Sequence, residues 1–357
     1  MSILNFALTL VVVYIIWAAT IRMGMKKLTC SRDFSRKRVF EGERGELVEV
    51  VRNDTPFIIP WLRVESYISP HLRIGSQDNL HVSAEMYYCS VFTLLPYQQI
   101  RRTHQVHFAR RGAYDLGNAA LTCGDLLGLS EVMSSQKLST PVLVYPRLLE
   151  PDQLPVPISR MLGELVRRQQ LLQDPFLVRG IRGYQPGDPV RDIHWPATAR
   201  TGEAQVRVRD YSARSRLLVV LNVQHQDMQL NRYVPESQEQ WVEEAIRLCV
   251  TVCIQALRSG LSAGIAANMP MGDSQESTLI LPADGAAREE ELLAACARLN
   301  MQCTQRFPVF LESLEKHTGL DILVISRYDG DSIRQSLDKL SAAGNQVSFH
   351  LMEGGSL

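Results

Sequence analysis

The chain opens on a stretch with no alternation at all: Ile3 to Ile21, ILNFALTLVVVYIIWAATI, carries no charge. As a helix rising about 1.5 Å per residue it nearly spans the roughly 30 Å hydrocarbon layer of a bilayer, so the pattern predicts a transmembrane anchor over residues 1–21. A cleaved signal peptide would need a basic leading region, and a buried helix would be shorter or amphipathic. Arg22, Lys26, Lys27, Arg32, Arg36, Lys37 and Arg38 follow against a single Asp33, a basic juxtamembrane segment over 22–38. By the positive-inside rule this predicts a single-pass protein of the cell inner (plasma) membrane with its bulk in the cytoplasm and its N-terminus outside.

From 39 to 148 the apolar positions shorten into strand-length runs: 46–53, 56–66, 85–95, 100–108 and 141–146, separated by Asn53-Asp54, Pro70, Pro96 and Gly112. Such punctuation predicts an all-β, sandwich-like domain. Residues 149–212 form a connector, with a helix expected over 159–173 and Ser159 as its N-cap. From 213 to 357 apolar runs alternate with helical ones, which predicts an α/β, Rossmann-type domain with a mainly parallel sheet. Its first long helix, about 238–259, has Ser237 and Gln240 at capping-box spacing and an apolar stripe through Val242, Ile246, Cys249, Cys253 and Ala256.

Composition narrows the function classes. Hydrophobic residues make up 45% and charged residues 21%, which is globular rather than disordered. With 38 basic and 38 acidic side chains there is no global field to hold nucleic acid. The seven cysteines include no Cys-x-x-Cys pair, which fits reduced thiols in a reducing compartment. Cys249 and Cys253 lie one turn apart on a core face without further ligands at metal spacing, so buried thiols are the better reading there.

The most specific stretch is Arg182 to Tyr211, RGYQPGDPVRDIHWPATARTGEAQVRVRDY. Gln185-Pro186-Gly187 is turn chemistry, Asp188 suits an N-cap, Pro189 suits the first helical position, and Pro196 limits the short helix that follows. Arg191, Asp192, Trp195, Ala199 and Arg200 fall at helix-neighbour spacings. That predicts Trp195 as a core plug and Arg191 and Arg200 as arginines held for carboxylates, with Asp188 or Asp210 as partner. Val206 and Val208 then alternate with Arg207 and Arg209, as on a half-exposed strand. The segment reads either as an Arg–Asp latch between domains or as a ligand site.

On these residues the chain resembles the bacterial and archaeal von Willebrand A-like family catalogued as domain of unknown function 58. Its central motif, Y-x-P-G-D-x-x-R-x-I-x-W-x-x-x-A-R, is matched by Tyr184, Pro186, Gly187, Asp188, Arg191, Ile193, Trp195, Ala199 and Arg200. Arg111 to Tyr114, Leu116-Gly117, Asp125, Gly128-Leu129 and Val144 to Pro146 resemble its β-region motifs, so the likeness runs over nearly the whole chain. The resemblance implies a membrane-tethered β domain joined to a von Willebrand A-like domain. It also implies a role beside a MoxR-type AAA+ ATPase in assembling or remodelling client proteins. The chain departs from the family where many members have two N-terminal spans. It departs again where von Willebrand A domains resemble Asp-x-Ser-x-Ser: here Asn222-Val223-Gln224-His225-Gln226 lacks both the carboxylate and the hydroxyls that Mg²⁺ prefers. Asp227 and Asp329 are the remaining carboxylate candidates; neither a metal nor another cofactor is expected.

The resulting expectation is a membrane-anchored, cytoplasmic-facing adaptor for a MoxR-type ATPase, binding without turnover. The alternative is a ligand- or metal-bridged protein-binding module working from the sheet's carboxyl edge without an ATPase. An enzyme would have to use His194 beside Asp192, and the chain has no Gly-x-Ser-x-Gly elbow, phosphate-binding Gly-rich loop or His-Glu-x-x-His. Nucleic acid is not expected either, since Asp188, Asp192, Glu203 and Asp210 interrupt the arginines and no aromatic platforms interleave them.

Overall fold

Two-residue alternation governs the first half of the chain in the computed structural model, which describes residues 2–75, 80–82, 87–124, 131–172, 178–185, 188–209, 215–226 and 233–352. The chain divides into two units, Met1–Arg147 and Leu148–Leu357.

The first unit holds helix α1 (Ser2–Lys26) and strands β1 (Leu28–Phe34), β2 (Arg38–Phe40), β3 (Arg44–Asn53), β4 (Ile59–Tyr67), β5 (Leu72–Ile74) and β6 (Leu80–Val82). It continues with β7 (Tyr87–Leu94), β8 (Gln99–Phe108), β9 (Gly112–Asp115), β10 (Asn118–Gly124), β11 (Glu131–Lys137) and β12 (Pro141–Tyr145). These form three sheets, β1-β3-β8-β5, β11-β10-β4-β7-β6 and β2-β12-β9. Leu28, Cys30 and Val51 from the first sheet share a core with Leu62, Val64, Phe92 and Leu121 from the second, which is how two pleated faces bury their inward residues.

Two expectations about the N-terminal region are corrected. Among the described residues no helix is long and apolar enough to cross a membrane, so the expected transmembrane anchor is not upheld, and the single-pass inner-membrane placement that rested on it falls too. Helix α1 is instead tied into the β unit at its end: Met25 lies in the core with Leu28 and Ile59, and a Cβ on Gly24 would touch Ile59. The basic segment of residues 22–38 closes α1 at Lys26 and then runs as β1. Leu28, Cys30, Arg32 and Phe34 point inward along β1, so Arg32, counted in the basic run, is a buried structural charge.

Arg32 is matched. Its Nε donates to Glu49 Oε1 at 2.7 Å, and a second guanidinium nitrogen bonds Ser66. Tyr88 donates its hydroxyl hydrogen to Glu49 Oε2 at 3.2 Å, Ser90 donates to Tyr88 at 3.0 Å, and His104 Nε2 stands 3.7 Å from Glu49 Oε2. Glu49 is fully buried. Burial alone would raise its pKa, but the His104 and Arg32 contacts more than offset this and hold it below the usual range.

The second unit comprises α2 (Val156–Leu172), β13 (Val178–Gly183), α3 (Trp195–Thr201), β14 (Gln205–Arg209), β15 (Arg216–Leu221), α4 (Glu236–Arg258) and β16 (Ser262–Pro270). β17 (Ser277–Ala283), α5 (Ala286–Arg298), α6 (Phe307–Leu314), β18 (Asp321–Ser326), α7 (Asp331–Ala342) and β19 (Gln346–Leu351) complete it. Its five-stranded sheet has the order β17-β16-β15-β18-β19. β15 is buried along its length after Arg216, as a strand covered on both faces must be; Leu218 and Val220 pack with Phe307, Phe310 and Leu311 of α6.

The expected succession of transmembrane helix, all-β sandwich-like domain and von Willebrand A-like α/β domain therefore gives way to a strand-rich chain with mixed sheets in both units. In the first, β12 runs parallel to β2 and antiparallel to β9. In the second, β17 runs antiparallel to β16, because residues 271–276 are too short a connection for the crossover of a dozen or more that a parallel neighbour takes. Two helix starts also differ. α2 begins at Val156, before Ser159, and the N-cap of α4 is Pro235, with no side-chain cap from Ser237.

The thiols of α4 and α5 are core residues. Cys249, Cys253 and Cys296 are buried, and burial pushes Cys249 and Cys253 well above the ordinary thiol range.

Candidate functional site

Residues 178–209 form a small antiparallel ribbon carrying a helical turn. β13 and β14 pair Arg182 with Val206 and Ile181 with Arg207, and Ile193 bridges Val206 from the other side. Residues opposite one another in a ladder share a face, so Arg182, Val206 and Ile193 lie on one side of the ribbon and Ile181 and Arg207 on the other. Val206 is buried, whereas Ile181 is 46% exposed.

Asp188 fixes the loop. It accepts from Arg182 Nη1 and Nη2, each at 2.8 Å, and from the backbone N–H of Gln185 at 2.8 Å. The Arg182 hydrogen bond, and then that of Gln185, hold the Asp188 carboxyl below the usual aspartate range. The expected partners of Asp188 were Arg191 and Arg200; the arginine that reaches it is Arg182. No helical spacing signals that pair, because the chain reverses between the two residues.

Around this latch each motif residue has a definite place. Tyr184 is 40% exposed, with its N–H on Ala204 O at 2.8 Å. Arg191 sits exposed in a 3-10 turn, Val190–Asp192, and Ile193 is half-buried against Val206. Ala199 and Arg200 are exposed on α3. Gly187, Pro186 and Asp210 lie outside the described residues, as do Asp125, Gly128 and Leu129.

Trp195 departs from expectation. It opens α3 and is 65% exposed, with Val190 nearby in sequence at 68%; it plugs no core. The helix starts later than the pattern suggested, at Trp195 itself, so Pro196 sits in the first turn, where its missing N–H costs nothing. His194 is the N-cap: its Nδ1 accepts the backbone N–H of Ala197 at 3.0 Å. With Nδ1 accepting, the neutral ring carries its proton on Nε2.

The second candidate, the carboxyl edge of the five-stranded sheet, is filled by amides. Leu221 aligns with Ala267 and Ile325, so Asn222, Asn268 and Ser326 stand level, one residue further along three neighbouring strands. Asn222 Nδ2 donates to Ser326 Oγ at 2.9 Å, and its Oδ1 accepts from Gln224 N at 2.9 Å and Asn268 Nδ2 at 3.2 Å. Asn268 Oδ1 takes the Val223 N–H at 3.0 Å, and Gln224 Oε1 takes that of Phe307 at 2.6 Å. All three amides are buried.

Donor and acceptor are matched without a charge, which is how buried polar groups avoid a desolvation penalty. Asp329, a candidate ligand on sequence grounds, is instead gripped by Arg334 at 2.9 and 2.6 Å, and Asp227 lies outside the described residues. Among the described residues no group of three or more His, Cys, Asp or Glu is placed to hold a metal. Asn268 and Ser326 were not foreseen; a polar residue ending each of two apolar runs was their only sequence signal.

Residues 180–326 match the model of a family described as a protein of unknown function, DUF58. That stretch contains the Arg182–Asp188 latch, Trp195 and the amide cluster. No curated protein matches the chain. Among solved structures, a CARDB domain from Pyrococcus furiosus in complex with di-metal ions is 17% identical, with 33% of this chain covering 91% of that one at a TM-score of 0.23. A non-cellulosomal cohesin from Archaeoglobus fulgidus is 8% identical, covering 32% and 91% at 0.22. BslA, a bacterial hydrophobin, is 7% identical, covering 34% and 97% at 0.23. At these TM-scores the likenesses carry no argument about this chain.

Proposed function

We propose that this chain is a protein-binding adaptor that docks a MoxR-type AAA+ ATPase through residues 178–209 and brings it to client proteins. The observation that carries the binding half is Trp195, 65% exposed at the start of α3, after a loop held by the Arg182–Asp188 pair. An exposed tryptophan beside arginines on a fixed backbone is the composition of an interface anchor, and fixing it in advance lowers the ordering cost of binding. The choice of partner rests on the family resemblance alone. The amide-filled sheet edge favours binding over catalysis, since its polar groups are spent on each other.

The test is co-purification of the tagged full-length chain, native and with Trp195→Ala or Arg191→Ala, followed by mass spectrometry with and without ATP. Recovery of an AAA+ ATPase with the native chain and its loss with the variants is the expected result. Absence of any ATPase under every nucleotide condition overturns the adaptor reading.

A further inference from the structure

The two edges of the five-stranded sheet are built differently. β17, at one edge, carries Pro282 and shifts register against β16, and Arg288 donates to the Leu281 carbonyl. Proline, irregular register and a covering charge are the devices that keep an edge strand from pairing. β19, at the other edge, reads QVSFHL. It has no charge, proline or glycine, and it pairs with β18 from Gln346 to Leu351 without a shift.

The backbone shows which groups of β19 are left over. Gln346 N–H donates to Leu320 O at 2.9 Å and Met352 N–H to Ser326 O at 2.8 Å. By the two-residue period of a strand, Gln346, Ser348 and His350 turn their N–H and C=O groups toward β18, and Val347, Phe349 and Leu351 turn theirs away. Among the described residues no strand lies on that outer side, and no hydrogen bond reaches those outward groups. The side chains alternate as well. Val347 and Phe349 pack, partly buried, on the core beneath α6 and α7, and Leu351 follows on the same face, 45% exposed.

The strand is also its own complement. Laid antiparallel to a copy of itself with Phe349 opposite Phe349, it sets Val347 against Leu351 and Ser348 against His350. Apolar meets apolar, polar meets polar, and no like charges oppose, as a twofold contact requires of both partners at once. The outward residues then face one another as hydrogen-bonded pairs, each exchanging both N–H···O bonds.

We infer that β19 is a homodimerisation edge: two copies of the chain pair their β19 strands antiparallel about a twofold axis at Phe349 and join their sheets into one. A second copy is the occupant this strand specifies, because it matches position by position, whereas an acidic or basic segment finds no counter-charge along QVSFHL. A contact built on one strand pair is small, so exchange with monomer at about micromolar concentration is expected.

The experiment uses the full-length chain. Sedimentation across about 1 to 100 µM is expected to show monomer and dimer in equilibrium. Amide exchange is expected to slow with concentration at Val347, Phe349 and Leu351 and to stay unchanged at Ser348 and His350, whose N–H groups already face β18. Ser348→Lys sets like charges beside the axis on an exposed position. Leu351→Pro removes an outward donor and leaves the β18 ladder intact. Each variant is expected to weaken the dimer about tenfold or more.

A chain that stays monomeric to the top of that range overturns the inference. A dimer without slowed exchange at the three outward amides overturns it too, since it is joined elsewhere. Protection there that ignores concentration does the same, because the chain's own residues then cover the edge. If Leu351→Pro unfolds, Ser348→Lys and the native exchange pattern decide, and an unchanged dimer in a folded Ser348→Lys variant counts against the pairing.

Discussion

Arg182 meets Asp188 through both of its terminal guanidinium nitrogens, each 2.8 Å from a carboxylate oxygen, and so closes the loop that precedes Trp195. Lysine cannot reproduce that planar fork. Arg182→Lys is expected to speed amide exchange at Tyr184 and Gln185 by about two- to fivefold, the range of a surface pair, while leaving global stability unchanged. The Asp188 carboxyl is held below the usual range, so the latch is complete above the ordinary aspartate value of about 3.9 and opens as pH falls through the lowered one. Exchange measured down a pH series, with Asp188→Asn as the permanently uncharged reference, checks this.

Glu49 offers the larger test in the first unit. Glu49→Gln leaves the buried Arg32 guanidinium without its counter-charge, which typically costs about 3–5 kcal/mol, measurable by urea unfolding. Because the native Glu49 pKa is lowered, its contribution is full above the unfolded value of about 4.3 and is lost as pH falls through the folded one. The variant should lack that acid-side loss.

Asn222 is matched on both its oxygen and its nitrogen. Asn222→Asp replaces the nitrogen that donates to Ser326 Oγ with a second acceptor and buries a charge among amides. An unsatisfied buried group costs about 1–3 kcal/mol, more when charged. A loss of that size in chemical denaturation is expected, together with no Mg²⁺-dependent rise in Tm for either the native chain or the variant.

Gly264 lies in β16 at the register shift opposite β17: a Cβ there would stand 2.6 Å from Pro282 N and 2.7 Å from the Leu281 carbonyl carbon. The obstructing atoms are backbone and cannot rotate away. Gly264→Ala is expected to destabilise the second unit by about 1–3 kcal/mol or more, with amide protection lost first along β17.

How far the fold could be read from the chain follows from these same residues. β3, β4, β7, β8 and β12 stand out because their alternating apolar positions sit between turn residues. β1 does not, since its inward face carries Arg32 and Cys30 and its outward face shares the basic run. β17 escaped notice because STLILPA lacks clean alternation and ends beside a proline. Trp195 shows the limit of helical spacing, which says which residues share a face and not whether that face meets anything. The Asn222 departure was visible in the sequence. Its partners were not, because Asn268 and Ser326 lie 46 and 104 residues away and only sheet register brings them level.

The buried thiols give the molecule a built-in clock. Cys249 and Cys253 are fully enclosed in α4, and Cys30 and Cys123, pushed up to about 12 and about 11 by burial first of all, are enclosed in the first unit. A thiol-specific reagent can reach none of the four until the surrounding unit opens, since reaction needs both access and thiolate. Labelling the native chain over time and mapping the adducts by mass spectrometry therefore times the opening of each half separately, without a single engineered residue.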